Sequence, residues 1–101
     1  EVQIGMTMHH AGIEIARDRL SKAALQRSVV NGEMFNPQTA VDAGFLDVVV
    51  AAEELQGVAL AAARQLKKIN MTAHKNTKLK VRKSLLEALD NAIIQDQEHL
   101  G

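Results

Sequence analysis

The stretch NPQTAVDAGFLDVVV, residues 36–50, decides how this chain folds. Asn36 is typical of a helix N-cap because its side-chain oxygen accepts from the first free amides, and Pro37 suits the first helical position. Gly44 supplies the left-handed conformation that ends a helix. The apolar run that follows, interrupted only by Asp47, predicts a short β-strand.

The rest of the chain is predicted to be helical. Apolar residues at three- and four-residue spacing indicate helices over residues 13–30, 51–69 and 72–99. The second of these carries a continuous apolar stripe, formed by Leu55, Val58, Ala59, Ala62, Leu66 and Ile69. A lone strand leaves its backbone donors and acceptors unpaired. The fold class is therefore mostly α with one short strand, and we expect the chain to be part of a larger α/β protein.

Composition narrows the functional classes. The chain has 101 residues, of which 47% are hydrophobic and 24% charged, and this is typical of one globular domain. Twelve basic residues balance twelve acidic ones and aromatics make up 2%, so a nucleic-acid partner is not expected. No apolar run is long enough for a membrane span. The lack of cysteine fits a reducing compartment, and we expect a cytoplasmic location. Because residue 1 is Glu rather than Met, we expect that the natural start lies elsewhere.

Two features carry candidate chemistry. His9 and His10 are adjacent, but His74 and His99 are distant in sequence and no third ligand has the spacing of a metal site, so no metal is predicted. Between Leu55 and Leu86 the chain has eight basic residues and no acidic one: Arg64, Lys67, Lys68, Lys75, Lys78, Lys80, Arg82 and Lys83. Such a run can meet a phosphate, a nucleic-acid backbone or an acidic partner, although a solvated helix face is the simpler interpretation.

Three segments together resemble a known family. They are Glu1-Val2-Gln3-Ile4-Gly5, the Val30-Asn31-Gly32 turn, and residues 37–49 with the sequence PQTAVDAGFLDVV. In order and spacing they are similar to the C-terminal part of the crotonase family, the enoyl-CoA hydratases and isomerases. The resemblance implies the C-terminal part of a crotonase-like α/β fold, a ββα spiral. Residues 1–50 would end the spiral core, and residues 51–101 would form a helical oligomerisation region of a homotrimer or hexamer.

The resemblance also assigns a site. Glu1 matches the family's glutamate, which acts as general acid and base on an acyl-CoA thioester in fatty acid metabolism, with hydratase (lyase) or isomerase outcomes. The alternative is a glutamate that caps a short helix. Gly5, His9 and Gly12 would line the active site, and His9 stands where the family has a glycine. The second hydratase glutamate and the oxyanion-hole amides belong to the upstream half of the fold, so this chain alone is expected to be inactive.

Lys78 and Lys80 are the candidates for contact with coenzyme A phosphates. Coenzyme A would be part of the substrate, and no separate cofactor is expected. A second hypothesis is a non-catalytic helical assembly or interaction module on a crotonase-like scaffold, which the histidine at position 9 favours.

Overall fold

Six α-helices account for most of the chain in a computed structural model, which describes the backbone of residues 1–100 and the side chains of residues 1–98. The helices are α1 (His10–Arg19), α2 (Lys22–Leu25), α3 (Pro37–Ala43), α4 (Leu55–Lys67), α5 (Met71–Val81) and α6 (Lys83–Leu100). A π-helical turn, Gln26–Val30, continues α2, and 3₁₀ turns occupy Val2–Ile4 and Ala52–Glu54. Gly101 and the side chains of His99 and Leu100, at the end of the predicted third helix, lie outside the described residues.

The strand predicted after Gly44 is wrong. The amides of Phe45 and Leu46 both donate back to the carbonyl of Ala40, at 2.9 and 3.3 Å. The chain then runs on to Val50 without a β-ladder, and none of the described residues forms a strand. A strand requires a second strand to complete its hydrogen bonds, and the described residues offer none. The regular secondary structure of the described residues is entirely helical, which agrees with the mostly α part of the predicted fold class.

The predicted helix over residues 13–30 is wrong as a single element. Helix α1 ends at Arg19, because the backbone of Leu20 is extended. Ser21 is then the N-cap of the next helix, α2. The Ser21 hydroxyl accepts from the Ala24 amide at 3.1 Å, which is the hydrogen bond of an N-cap. The break lets the Ser21 amide reach the carbonyl of Ala43 in α3, at 3.4 Å. Local capping therefore overrides the apolar periodicity at this point.

The short helix that begins at Asn36 is confirmed as α3. Asn36 accepts from the Thr39 amide at 2.8 Å, and the Thr39 hydroxyl accepts from the Asn36 amide at 3.0 Å. This reciprocal pair is a capping box. Gly44 ends the helix with a φ of 106°. The sequence signals on both sides of α3 therefore act as predicted.

A small core joins the first three helices. Leu20, Ala24 and Ala43 are buried together, with Ala16, Leu25 and Phe35 packed around them. Next to this core, Arg27 forms an ion pair with Glu33 at 2.7 Å, and its guanidinium lies 5.4 Å from the centre of the Phe35 ring. The Phe45 ring packs edge-on against Phe35, with centroids 5.5 Å apart. These contacts hold the loop after α2 against the end of α3.

The predicted helix over residues 72–99 is also two helices rather than one. The chain bends at Arg82, between α5 and α6. The bend lets α6 return along α1, so that Leu85, Ala88, Leu89 and Ala92 lose solvent contact while α5 keeps most of its surface exposed. Burial of this apolar face stabilises the bent arrangement, because most helical stability in proteins comes from tertiary packing of an amphipathic face.

Helix α4 keeps its apolar stripe exposed. Leu55 and Leu66 of this stripe are more than half exposed, and none of the residues of α4 is buried. An amphipathic helix of this kind normally covers its apolar face with other protein. The role of residues 51–101 in oligomerisation stays a prediction. Within residues 1–100, no helix combines the length and the apolar character required to cross a bilayer.

Candidate active site

The segment that contains Glu1 forms a tight 3₁₀ turn. The carbonyl of Glu1 accepts from the amides of Ile4 and Met6, at 3.1 and 3.0 Å. Gly5 ends the turn with a φ of 80°, a left-handed conformation that L side chains rarely adopt. The Glu1 side chain makes no capping hydrogen bond to this turn and is exposed. Glu1 is therefore the N-cap residue of this turn by position, but its side chain does not cap it.

The Asn31-Gly32 turn anchors this segment from the other side. The Gln3 side-chain amide donates to the carbonyl of Gly32. A Cβ at Gly32 would lie 2.7 Å from Cγ2 of Val2 and 2.9 Å from Cγ of Gln3, so only a glycine allows the approach. Gly32 also has a φ of 69°. Two of the segments that carry the family resemblance are thus in direct contact.

His9 turns out to be the N-cap of α1. Its Nδ1 accepts from the Gly12 amide at 3.0 Å, so in the neutral ring the proton is on Nε2. The imidazole lies against Gly12, because a Cβ on that glycine would come within 2.7 Å of Cε1 of His9. The structure therefore brings His9 and Gly12 together, and their role in lining an active site stays a prediction. It also gives His9 a capping role that the sequence analysis did not assign.

Asp96 is the residue that the sequence analysis missed. Its carboxylate, from the end of α6, accepts from the His10 amide at 2.8 Å with Oδ1 and from the Ala11 amide at 3.0 Å with Oδ2. The Ala11 hydrogen bond is the main cause that lowers the pKa of Asp96 below its ordinary 3.8; burial opposes it, and the His10 hydrogen bond and charge reinforce it. No pattern in a single sequence pairs residue 96 with residues 10 and 11.

The lowered pKa of Asp96 makes stability depend on pH in a defined direction. Since the folded pKa lies below the unfolded one, the stabilisation is complete above about 3.8 and is lost as the pH falls through the lowered pKa. We expect Asp96→Asn to unfold at lower denaturant concentration than wild type at neutral pH, and the two midpoints to converge as the pH falls below the lowered pKa of Asp96. Denaturant titrations across that range provide the check. A gap that stays constant with pH would contradict the assignment.

Lys78 and Lys80 both lie on α5, and Lys78 is at a surface groove of about 430 Å³. Lys78 lines this groove with His74 and Arg82, one turn away on either side, and Ile69 and Val81 supply apolar walls. Lys80 does not line it, because two residues along a helix rotate the side chain by about 200°. The two lysines therefore lie on different sides of α5, and their contact with coenzyme A stays a prediction. Among the described residues, no three His, Asp or Glu side chains are grouped to hold a metal ion.

Comparison with known proteins identifies the family. The family profile described as enoyl-CoA hydratase/isomerase matches residues 1–101. A solved enoyl-CoA hydratase/isomerase family protein from Pseudomonas syringae is 72% identical over 97% of this chain, with a TM-score of 0.94. An enoyl-CoA hydratase from Mycobacterium ulcerans is 35% identical over the whole chain, with a TM-score of 0.93. A Mycobacterium tuberculosis structure described as an enoyl-CoA isomerase is 36% identical over 97% of this chain, with a TM-score of 0.93.

The α-helical arrangement and the Glu1 segment are thus those of a crotonase-type protein. The chain belongs to the enoyl-CoA hydratase/isomerase family. It spans 43% to 44% of the length of these three structures. The search of curated proteins gave no match.

Proposed function

We propose that this chain provides the C-terminal part of an enzyme that acts on acyl-CoA thioesters, with Glu1 as its general acid and base. The observation that carries the proposal is the position of Glu1. It lies in the Glu-x-x-x-Gly segment of a chain matched over residues 1–101 by the enoyl-CoA hydratase/isomerase family, and its exposed side chain does not cap the adjacent turn. The upstream half of the same fold would complete the site.

A carboxylate suits the chemistry that the family names describe. Removal of a proton next to a thioester carbonyl leaves an enolate, and return of the proton at another carbon moves the double bond. Addition of water to an enoyl thioester requires that one group take a proton from water and give one to carbon. Glu1 would do this proton transfer, and the upstream oxyanion-hole amides would stabilise the enolate. Coenzyme A enters as part of the substrate, with no further cofactor.

The partners follow from the same proposal. The exposed apolar stripe of α4 and the helical region of residues 51–101 would pack against the rest of the fold and against neighbouring subunits of a homotrimer or hexamer. We propose a cytoplasmic protein with no nucleic-acid or membrane partner, in line with its balanced charge and lack of cysteine.

A panel of enoyl-CoA substrates tests the proposal. The protein, assembled with the upstream half of the fold, is given 2-enoyl and 3-enoyl thioesters of several chain lengths. Hydration of the first class or isomerisation of the second supports the enzyme, and the products distinguish the two outcomes. If no substrate is turned over while the assembly forms, the second candidate is favoured, a non-catalytic helical assembly module. The His9 cap is the observation in its favour, since the ring at this position has a structural contact of its own.

Lys78 gives a separate prediction for coenzyme A binding. Its groove combines a row of basic side chains with apolar walls, which suits a phosphate attached to an apolar group. We expect Lys78→Glu to weaken the affinity for acyl-CoA by about fivefold, because one favourable charge contact becomes repulsive. Lys80→Glu is the matched control, with the same charge change on the other side of α5. Equal affinities for both variants and wild type, measured by calorimetry, would exclude this role for Lys78.

A further inference from the structure

The N-terminus of α1 has no free amide among its first four residues. His10 and Ala11 donate to the Asp96 carboxylate, Gly12 donates to His9 Nδ1, and Ile13 donates to the His9 carbonyl at 3.2 Å. The Ile13 bond is the first regular one of the helix, whereas a helix normally leaves the amides of its first three residues for water or a ligand. Here side chains satisfy the amides of His10, Ala11 and Gly12, so none of these three is left as a donor for a substrate oxygen.

The two Asp96 hydrogen bonds join distant parts of the chain. Asp96 lies 86 and 85 residues away from the two amides that it binds. Helices α1 and α6 pack antiparallel: a surface pocket between them is lined by Glu14 and Asp18 of α1 and by Ser84 and Ala88 at the start of α6. One turn before Asp96, Ala92 is 2% exposed. Ala92 is thus buried one turn before the point where the Asp96 carboxylate holds the end of α1.

The segment between Glu1 and α1 is held at two points. One is the contact of Gln3 with Gly32, and the other is the set of hydrogen bonds that surrounds His9. Glu1 and His9 belong to this one short segment, so the distance between the carboxylate and the imidazole depends on both anchors. Loss of either anchor would let one end move relative to the other.

We infer that Asp96 is a positioning residue for the proposed active site, because its carboxylate fixes the N-terminus of α1 and with it His9 and the segment that leads back to Glu1. The inference rests on the proposed function. Asp96 uses both carboxylate oxygens on backbone amides and so acts through the helix end rather than on substrate. A displacement of about 1 Å in the position of a catalytic group is sufficient to slow a reaction by about a hundredfold.

The test compares Asp96→Asn with Asp90→Asn in the protein assembled with the upstream half. Asp90 is exposed on the same helix, so its variant makes the same charge change without touching α1. Asn at position 96 keeps one acceptor and loses the other. We expect kcat of Asp96→Asn for an enoyl-CoA substrate to fall by about tenfold with little change in KM, and Asp90→Asn to behave as wild type.

Hydrogen exchange measured by mass spectrometry reports directly on the hydrogen bonds between Asp96 and the N-terminus of α1. Exchange at the amides of residues 10–13 is expected to rise in Asp96→Asn, while exchange across α5 stays at the wild-type rate and shows that the variant is folded. Unchanged kcat in Asp96→Asn, or an equal loss in Asp90→Asn, overturns the positioning role while the proposed function stands. A wild-type protein without turnover overturns the proposed function, and the positioning role with it, whatever the exchange rates are.

Discussion

Replacement of Glu1 by Gln is expected to reduce turnover of enoyl-CoA substrates by about 10²- to 10⁴-fold, which is the range of a lost general acid or base. The amide has nearly the shape of the carboxylate but cannot accept a proton, so the fall is expected in kcat rather than in KM. The Glu1 side chain is exposed and makes no capping bond to its own turn, so the substitution has little to disturb in the fold.

Glu87→Gln is a suitable comparison for Glu1→Gln. Glu87 is exposed on α6, and its substitution removes one carboxylate outside the Glu1 turn and outside the Gly32 turn that anchors it. Steady-state kinetics of the three proteins in the assembly with the upstream half give the answer. If Glu1→Gln keeps more than about a tenth of the wild-type kcat, Glu1 is not the acid and base.

Replacement of Gly44 by Ala is expected to cause the largest loss of stability. Gly44 has a φ of 106°, and a Cβ there would lie 2.6 Å from the backbone carbonyl oxygen of Arg19. The positive φ alone costs about 1–3 kcal/mol for a residue with a side chain, and the clash with backbone adds to it. Where Gly44 lies close to Arg19, Arg19 Nε donates a hydrogen bond to the Gly44 carbonyl, and the Arg19 guanidinium forms an ion pair with Asp47. These contacts join α1 to the end of α3.

Gly57→Ala is the matched control, because the same change there has the opposite expected sign. A Cβ at Gly57 meets nothing within 4 Å, and the residue lies inside α4. Alanine in a helix interior is favoured over glycine by up to about 1 kcal/mol. Thermal unfolding is therefore expected at a lower temperature for Gly44→Ala and at an equal or higher one for Gly57→Ala. A Gly44→Ala protein that melts with wild type would show that the close approach to Arg19 does not exist in solution.

Sequence signals that act within one turn predicted the structure well. Asn36, Pro37 and Gly44 mark the limits of α3, because caps and left-handed glycines depend on neighbouring backbone alone. Ser21 carries the same kind of signal and starts α2 with its hydroxyl, but the apolar periodicity of residues 13–30 hid it. The valine-rich segment, residues 45–50, has a high β-propensity but forms no strand, because a strand exists only with a partner strand.

The candidate site was predictable only in part for a related reason. Glu1, Gly5, His9 and Gly12 lie in one short segment, so the family resemblance was enough to select them as candidates. The contact of Gln3 with Gly32 and the hydrogen bonds to Asp96 join residues far apart in the chain. The Asp96 pairs depend on how α6 packs against α1, and the Gln3 contact depends on how the first turn packs on the Asn31-Gly32 turn; periodicity alone specifies neither.

Hydrogen exchange of the assembled protein with and without a saturated acyl-CoA tests the central claim most directly. The saturated thioester has no double bond to react, so the measurement reports binding at the site whether the enzyme is a hydratase or an isomerase. We predict slower exchange across residues 1–8, the segment that carries Glu1, when the thioester is bound at saturating concentration. Binding that leaves the exchange of residues 1–8 unchanged would contradict the assignment of the active site to this segment.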